Sequence, residues 1–143
     1  MLLLDVNVVV AAYREDLSQH EVISDWWNEL IEHRQPFTVP TIVWASFVRL
    51  VTNRRIFDPP ASLGEAFDFV SVVCDQPAHV LLGPGPKHLE LLRRTCEESD
   101  ATGDLVSDAV IAAIALEHGC TVASLDRDFA RFQSIDHVVP GQG

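Results

Sequence analysis

Apolar runs too short to be helices recur along this chain, and each one stops abruptly. Met-Leu-Leu-Leu ends at Asp5, Phe37 to Val39 ends at Pro40, His79 to Leu82 ends at Gly83-Pro84, and Thr121 to Leu125 ends at Asp126. His137 to Val139 is a fifth run of the same kind. Between the runs lie longer stretches whose apolar residues recur with helical spacing. Short buried strands that alternate with helices have one natural arrangement, a parallel α/β sheet. Ligands of such sheets bind in the crevice outside the carboxyl ends of the strands. Asp5 and Asp126 fall at those ends.

The helical stretches are marked by their own signals. Ser18 with Glu21 three residues later reads as a capping box that opens a helix running to about Arg34. Further helices are expected from Thr41 to Asn53, from Leu63 to Cys74 behind the Pro59-Pro60-Ser62 turn, and from Lys87 to about Glu97. Asp104 to His118 is apolar on nearly every side and stops at Gly119, so it should lie against the sheet or inside the core. A helical turn from Asn7 to Tyr13 and a short helix from Arg127 to Phe132 complete the pattern.

At 143 residues, with 48% hydrophobic and 22% charged residues, the chain has the size and balance of a single globular domain over residues 1–143. The apolar start lacks a basic leader and is interrupted by Asp5 and Asn7, so it is not read as a signal peptide. No uninterrupted apolar stretch approaches the ~18 residues of a membrane span, and no membrane partner is expected. Cys74, Cys96 and Cys120 follow no metal or redox spacing and read as reduced core thiols of a cytoplasmic protein.

The formal net charge of -11 excludes a simple basic nucleic-acid binder. All the basic residues except Lys87 are nevertheless arginines, grouped as Arg49 with Arg54 and Arg55, Arg93 with Arg94, and Arg127 with Arg131. The planar guanidinium fork suits phosphate oxygens. A local phosphate-binding rim, with Arg49, Arg54 and Arg55 as its candidates, is compatible with an acidic whole.

Asp5, Asp108, Asp126 and Asp128 each stand where an apolar element should have continued. Two carboxylates ~4 Å apart repel by roughly 4 kcal/mol at an effective dielectric near 20, so their convergence calls for a cation or a proton. Each has a plainer reading. Asp5, Asp126 and Asp128 are well placed to cap the helical turns after them, and Asp108 to pair with an arginine.

The ordered set of Leu-Leu-Leu-Asp-Val-Asn-Val from Leu2, Phe-Val-Arg-Leu-Val-Thr-Asn from Phe47, Leu-Val-Ser-Asp-Ala-Val-Ile-Ala-Ala-Ile-Ala from Leu105, and Ser-Leu-Asp-Arg-Asp-Phe from Ser124 resembles the PIN-domain ribonucleases. Within them it is similar to the VapC toxins of bacterial toxin-antitoxin pairs. The resemblance covers essentially the whole chain. It implies a parallel five-stranded sheet flanked by helices, with acidic residues converging at the strand ends. It also implies hydrolysis of RNA phosphodiester bonds, tRNA or ribosomal RNA being the substrates it suggests, with a VapB-like antitoxin as inhibitor and a homodimeric state.

By the same resemblance Asp5, Asp108 and Asp126 would be ligands of Mg2+ or Mn2+, Asp128 a supporting carboxylate, and Asn7 a residue orienting water or phosphate. Many family members carry a glutamate in the helix after the second strand, where this chain has Ala45 and Ser46. Asp104, four residues before Asp108, is the candidate to replace it, with plain N-capping as its alternative. Trp26 and Trp27, ~100° apart on one helix, either pack into the core or leave one ring for a partner helix.

Two other functions compete. Asp5-Val6-Asn7 with Gly103-Asp104 and Asp108 matches the nucleophile and metal motifs of haloacid-dehalogenase-like phosphatases, with Lys87 as phosphate clamp. The missing glutamate also makes a catalytically inactive binding module conceivable.

Overall fold

The computed structural model describes residues 1–142, and its elements alternate as the apolar runs require. In chain order they are β1 (Leu2–Leu4), α1 (Val6–Tyr13), α2 (His20–Glu32), β2 (Phe37–Thr38), α3 (Thr41–Val51), α4 (Leu63–Cys74), α5 (His88–Ser99), α6 (Leu105–His118), β3 (Thr121–Ala123), a 3-10 helix (Arg127–Arg131) and β4 (His137–Val138). The strands form one parallel sheet in the order β2-β1-β3-β4. β1 and β3 are its centre. Leu2 faces Thr121, Leu3 faces Val122 and Leu4 faces Ala123, so the two carboxyl ends finish side by side.

The sheet has four strands among the described residues, not the five expected. The run His79 to Leu82 contributes only an isolated bridge between His79 and Phe37. Val80 N–H reaches the Phe37 carbonyl at 2.9 Å, but Leu82 N–H then bonds the Thr38 hydroxyl, and Val39 N–H bonds the His79 ring. Side chains thus take the places of ladder partners, and Pro84 has no N–H with which to continue. Val80 and Leu81 remain exposed.

Helix α2 also starts differently from the expected Ser18 cap. Gln19 occupies the N-cap and its side chain makes no capping bond. Tight turns from Arg14 to Leu17 and from Leu17 to His20 occupy the backbone there, and the His20 ring bonds the Ala11 carbonyl at 2.8 Å, which fixes the first turn. The chain forms its capping box at α4 instead, where Ser62 and Glu65 bond each other's backbone N–H at 3.1 and 3.0 Å.

The core lies on both faces of β1 and β3. Leu3, Leu4, Val122 and Ala123 are fully buried there, together with Phe37, Phe47, Phe129 and Phe132. Burying one such phenylalanine contributes roughly 2–3 kcal/mol. Phe47 of α3 meets Tyr13, Phe69 and Trp44 at centroid distances of 5.3 to 5.5 Å. Trp27 stacks near Phe37 and Phe69, whereas Trp26 is half-buried and lines a groove of about 460 Å³ with Glu29, His33 and Pro36.

Helix α6 packs beneath the sheet, with Ala109, Ala112, Ala113, Ile114 and Ala115 fully buried. Small alanines let α5 approach closely enough for the Thr95 hydroxyl to reach the Ala109 carbonyl at 3.0 Å. Gly119 ends α6 at φ 68°, a left-handed conformation that costs a side chain about 1 kcal/mol. Gly119→Ala should therefore lower the melting temperature by about 3 °C, as measured by circular dichroism. The three cysteines are free, and among the described residues no helix is long and apolar enough to cross a membrane.

Candidate acidic centre

The paired ends of β1 and β3 place residue 5 beside residue 124. Asp5 N–H bonds the Ala123 carbonyl at 3.0 Å, which carries the sheet pairing one residue past the strand. The Asp5 side chain, 7% exposed, accepts from Val6 N–H at 2.8 Å and so caps α1. Its other oxygen accepts from the Ser124 hydroxyl at 2.8 Å. Ser124 is fully buried and binds more than Asp5. Its oxygen accepts from the Asn7 amide at 3.1 Å and from Asp126 N–H at 3.0 Å. Asn7 in turn accepts from Leu125 N–H at 3.0 Å, and the His137 ring lies 3.2 Å from the Ser124 carbonyl.

Asp126 caps the 3-10 helix by accepting from Asp128 N–H at 2.9 Å. Capping and convergence are therefore not alternatives in this fold. At Asp126 one oxygen bonds the backbone and thereby fixes the direction of the other. Asp108 enters from the first turn of α6. One carboxylate oxygen from each of Asp108, Asp126 and Asp128 lies within 4.8 Å of the others.

No arginine among the described residues neutralises this group. The ion pairs there are Arg14–Asp16 and Arg93–Glu97, and neither includes a member of the cluster. Burial first, then repulsion from Asp126, Asp5 and Asp128, pushes the Asp108 carboxyl up to about 6. Burial also raises Asp5, opposed by the hydrogen bonds from Ser124 and Val6.

A cavity of about 380 Å³ opens over these residues. Asp5, Asn7, Asp108 and Asp126 line it, together with Ser46 and Arg49 of α3. Asp128 belongs to the carboxylate cluster but is not among the lining residues. Asp104 immediately precedes α6, exposed, and neither lines the cavity nor joins the cluster. Arg54 and Arg55 are exposed in the turn after α3, also outside the lining.

Ser124 is the residue that sequence reasoning missed. A small hydroxyl at the end of an apolar run reads as filler, and the available signal was its place two residues before Asp126 on the strand that must pair with Met1 to Asp5.

The donor set suits a hard divalent cation. Oxygens bound to one ion at ~2.0–2.4 Å stand at most ~4.8 Å apart, so Asp108, Asp126 and Asp128 can reach one ion directly or through its waters. Fold and site together define a class, the parallel α/β domain whose strand ends gather carboxylates around a place for a cation and an anionic ligand. The family model described as the PIN domain matches residues 2–134, and the chain belongs to that family.

Among its relatives, the ribonuclease VapC31 of Mycobacterium tuberculosis is 56% identical over 140 residues, spanning 98% of this chain and 99% of the relative. Ribonuclease VapC25 of the same organism is 55% identical over the same spans. The fold also matches the crystal structure of VapBC2 from Rickettsia felis bound to a promoter DNA fragment, with a TM-score of 0.71 at 13% identity over 96% of each chain. The phosphatase reading falls with the family, and its motif has no structural support. Gly103-Asp104 follows helix α5 rather than a strand, and Lys87 lies outside the cavity.

Proposed function

We propose that the protein is a divalent-metal-dependent endoribonuclease, the toxin of a toxin-antitoxin pair, held inactive in the cytoplasm by a VapB-like antitoxin. The observation that carries the chemistry is the cluster of Asp108, Asp126 and Asp128 without a neutralising arginine. Similarity to VapC31 and VapC25, both named ribonucleases, supports RNA as substrate. That likeness also supports the antitoxin.

Asp108 and Asp126 would hold Mg2+ or Mn2+, with Asp128 and Asp5 beside them. When bound, such an ion neutralises charge on the phosphoryl group and acidifies a coordinated water. Asp5 and Asn7 keep the ligand-bearing strand ends in register through Ser124. One amide hydrogen of Asn7 remains for water or phosphate, since its oxygen is taken by Leu125 and its other hydrogen by Ser124. Arg49, which lines the same cavity, would present a fixed positive charge to a substrate phosphate. Exposed Leu63, Phe67, Val72 and Leu81 leave apolar surface for a second copy or an antitoxin, in keeping with a homodimer.

Purified protein freed of any co-expressed partner should cleave total bacterial RNA in Mg2+ or Mn2+, stop in EDTA, and resume when metal is restored. Asp5→Asn should reduce cleavage by about two orders of magnitude. Cleavage that persists in both EDTA and Asp5→Asn would place the chemistry elsewhere, and no cleavage by the wild type on any RNA would favour a binding module.

A further inference from the structure

The cavity lining differs by element. Asp5, Asp108 and Asp126 come from the strand ends and α6, with Asp128 clustered beside them, whereas α3 supplies Ile42, Val43, Ser46 and Arg49 and no acid. Packing sets this stripe. Burial of Phe47 and Val51 turns the residues at 42, 46 and 49, spaced four and three apart, toward the cavity, which Val43 also lines. At this turn of α3 the place of the common family glutamate falls to Ser46, while Ala45 does not line the cavity.

A second divalent ion against α3 would meet a neutral hydroxyl and an arginine. Mg2+ is held by carboxylates and waters, and a lone hydroxyl is a weak anchor for it. The guanidinium stays protonated, so it adds repulsion for a cation and attraction for phosphate. Arg49 makes no ion pair among the described residues, so its charge is not already committed to the cavity aspartates.

We propose that the centre holds one divalent cation, on the side of Asp108, Asp126 and Asp128, and that Ser46 and Arg49 form a phosphate-binding wall where a second ion's carboxylate would otherwise stand. This rests on the metal-dependent reading above and narrows it to a one-ion centre.

The test counts ions without substrate. Metal-free, partner-free full-length protein is titrated with Mn2+ alone, and the electron paramagnetic resonance signal of free aqueous Mn2+ reports what is bound. One ion per chain is expected for the wild type and for Ser46→Ala, and two, the second weaker, for Ser46→Glu. Two comparable ions in the wild type would overturn the one-ion inference and leave the metal-dependent reading intact, and a single ion in a folded Ser46→Glu would overturn the placing of Ser46 where a second ion's carboxylate would stand. No bound Mn2+ in the wild type would overturn both. Because the wild-type count decides the stoichiometry alone, a misfolded Ser46→Glu does not protect the inference. Ser46→Ala and Arg49→Gln should each raise KM for RNA cleavage about tenfold at an unchanged Mn2+ count. An unchanged KM in both would remove the phosphate-binding role.

Discussion

Asp108→Asn should make the metal-free protein more stable and the metal-bound protein less stable than the wild type, and it should lower RNA cleavage by about two orders of magnitude. The opposite signs come from one carboxylate. In the unfolded chain Asp108 titrates at its ordinary 3.8, and in the fold at about 6. Below the lower value both states are protonated and the residue contributes no pH dependence. As pH rises from there to about 6, the unfolded chain releases its proton more readily, and the fold loses stability. Above about 6 that loss is complete.

Asp108 is only half-buried, so solvent screening reduces the effect to the order of 1 kcal/mol, or about 3 °C in melting temperature at pH 7.5. A cation reverses the balance. At a hundred times its dissociation constant it stabilises the wild type by about 2.7 kcal/mol, most of which the asparagine variant forfeits. Thermal melts of both proteins at pH 4 and pH 7.5, with EDTA or with Mn2+, check all four outcomes. If the two proteins melt alike in EDTA at pH 7.5, burial and neighbouring carboxylates do not penalise the Asp108 charge as its place in the fold requires.

Ser124→Ala should lower both stability and cleavage, although serine to alanine removes only one oxygen. That oxygen serves Asp5, Asn7 and the Asp126 backbone at once inside a fully buried site. Removing it leaves three polar groups short of a partner. The fold should lose about 1–3 kcal/mol, and the melting temperature should fall by roughly 3–9 °C. Cleavage should drop about 10–100-fold, because the ligands lose their mutual register. A weaker Mn2+-induced rise in melting temperature would show that the loss acts through the metal ligands. A drop in stability with cleavage and Mn2+ response intact would reduce Ser124 to a core hydrogen bond.

The central architecture was legible because the forces that built it are local and redundant. Leu2 to Leu4 and Thr121 to Ala123 are apolar runs with only one way to be buried, and a carboxylate at the end of each marks the strand's exit. The edge was not legible in the same way. His79 to Leu82 has strand-like composition, but whether it joins a ladder depends on backbone partners, and here Thr38 and His79 side chains took the bonds. Ser18 misled for a related reason, since a capping motif competes with whatever the His20 ring finds across the fold.

The site divides along similar lines. Asp5 and Asp126 could be placed from strand ends, and Asp108 from its presence in an otherwise apolar helix. Arg49 could be separated from Arg54 and Arg55 only once α3 was seen to end at Val51, which leaves Arg49 on the helix that lines the cavity and Arg54 and Arg55 in the turn beyond it. At Asp126 capping and convergence with the other carboxylates occur together, since one oxygen accepts from Asp128 N–H while the side chain also belongs to the cluster.

The pairing of β1 with β3 joins residues that are synthesised at opposite times. Asp5 and its Ser124 partner are separated by 119 positions, and Asp126 follows later still. At ~5–20 residues per second, the first ligand emerges from the ribosome many seconds before the last. A nascent chain cut short before Ser124 carries Asp5 and Asp108 but has no complete β3 exit to bring them into register. An unfinished copy therefore lacks the assembled acidic centre, and on the proposed reading an antitoxin would be needed only once the last strands are made.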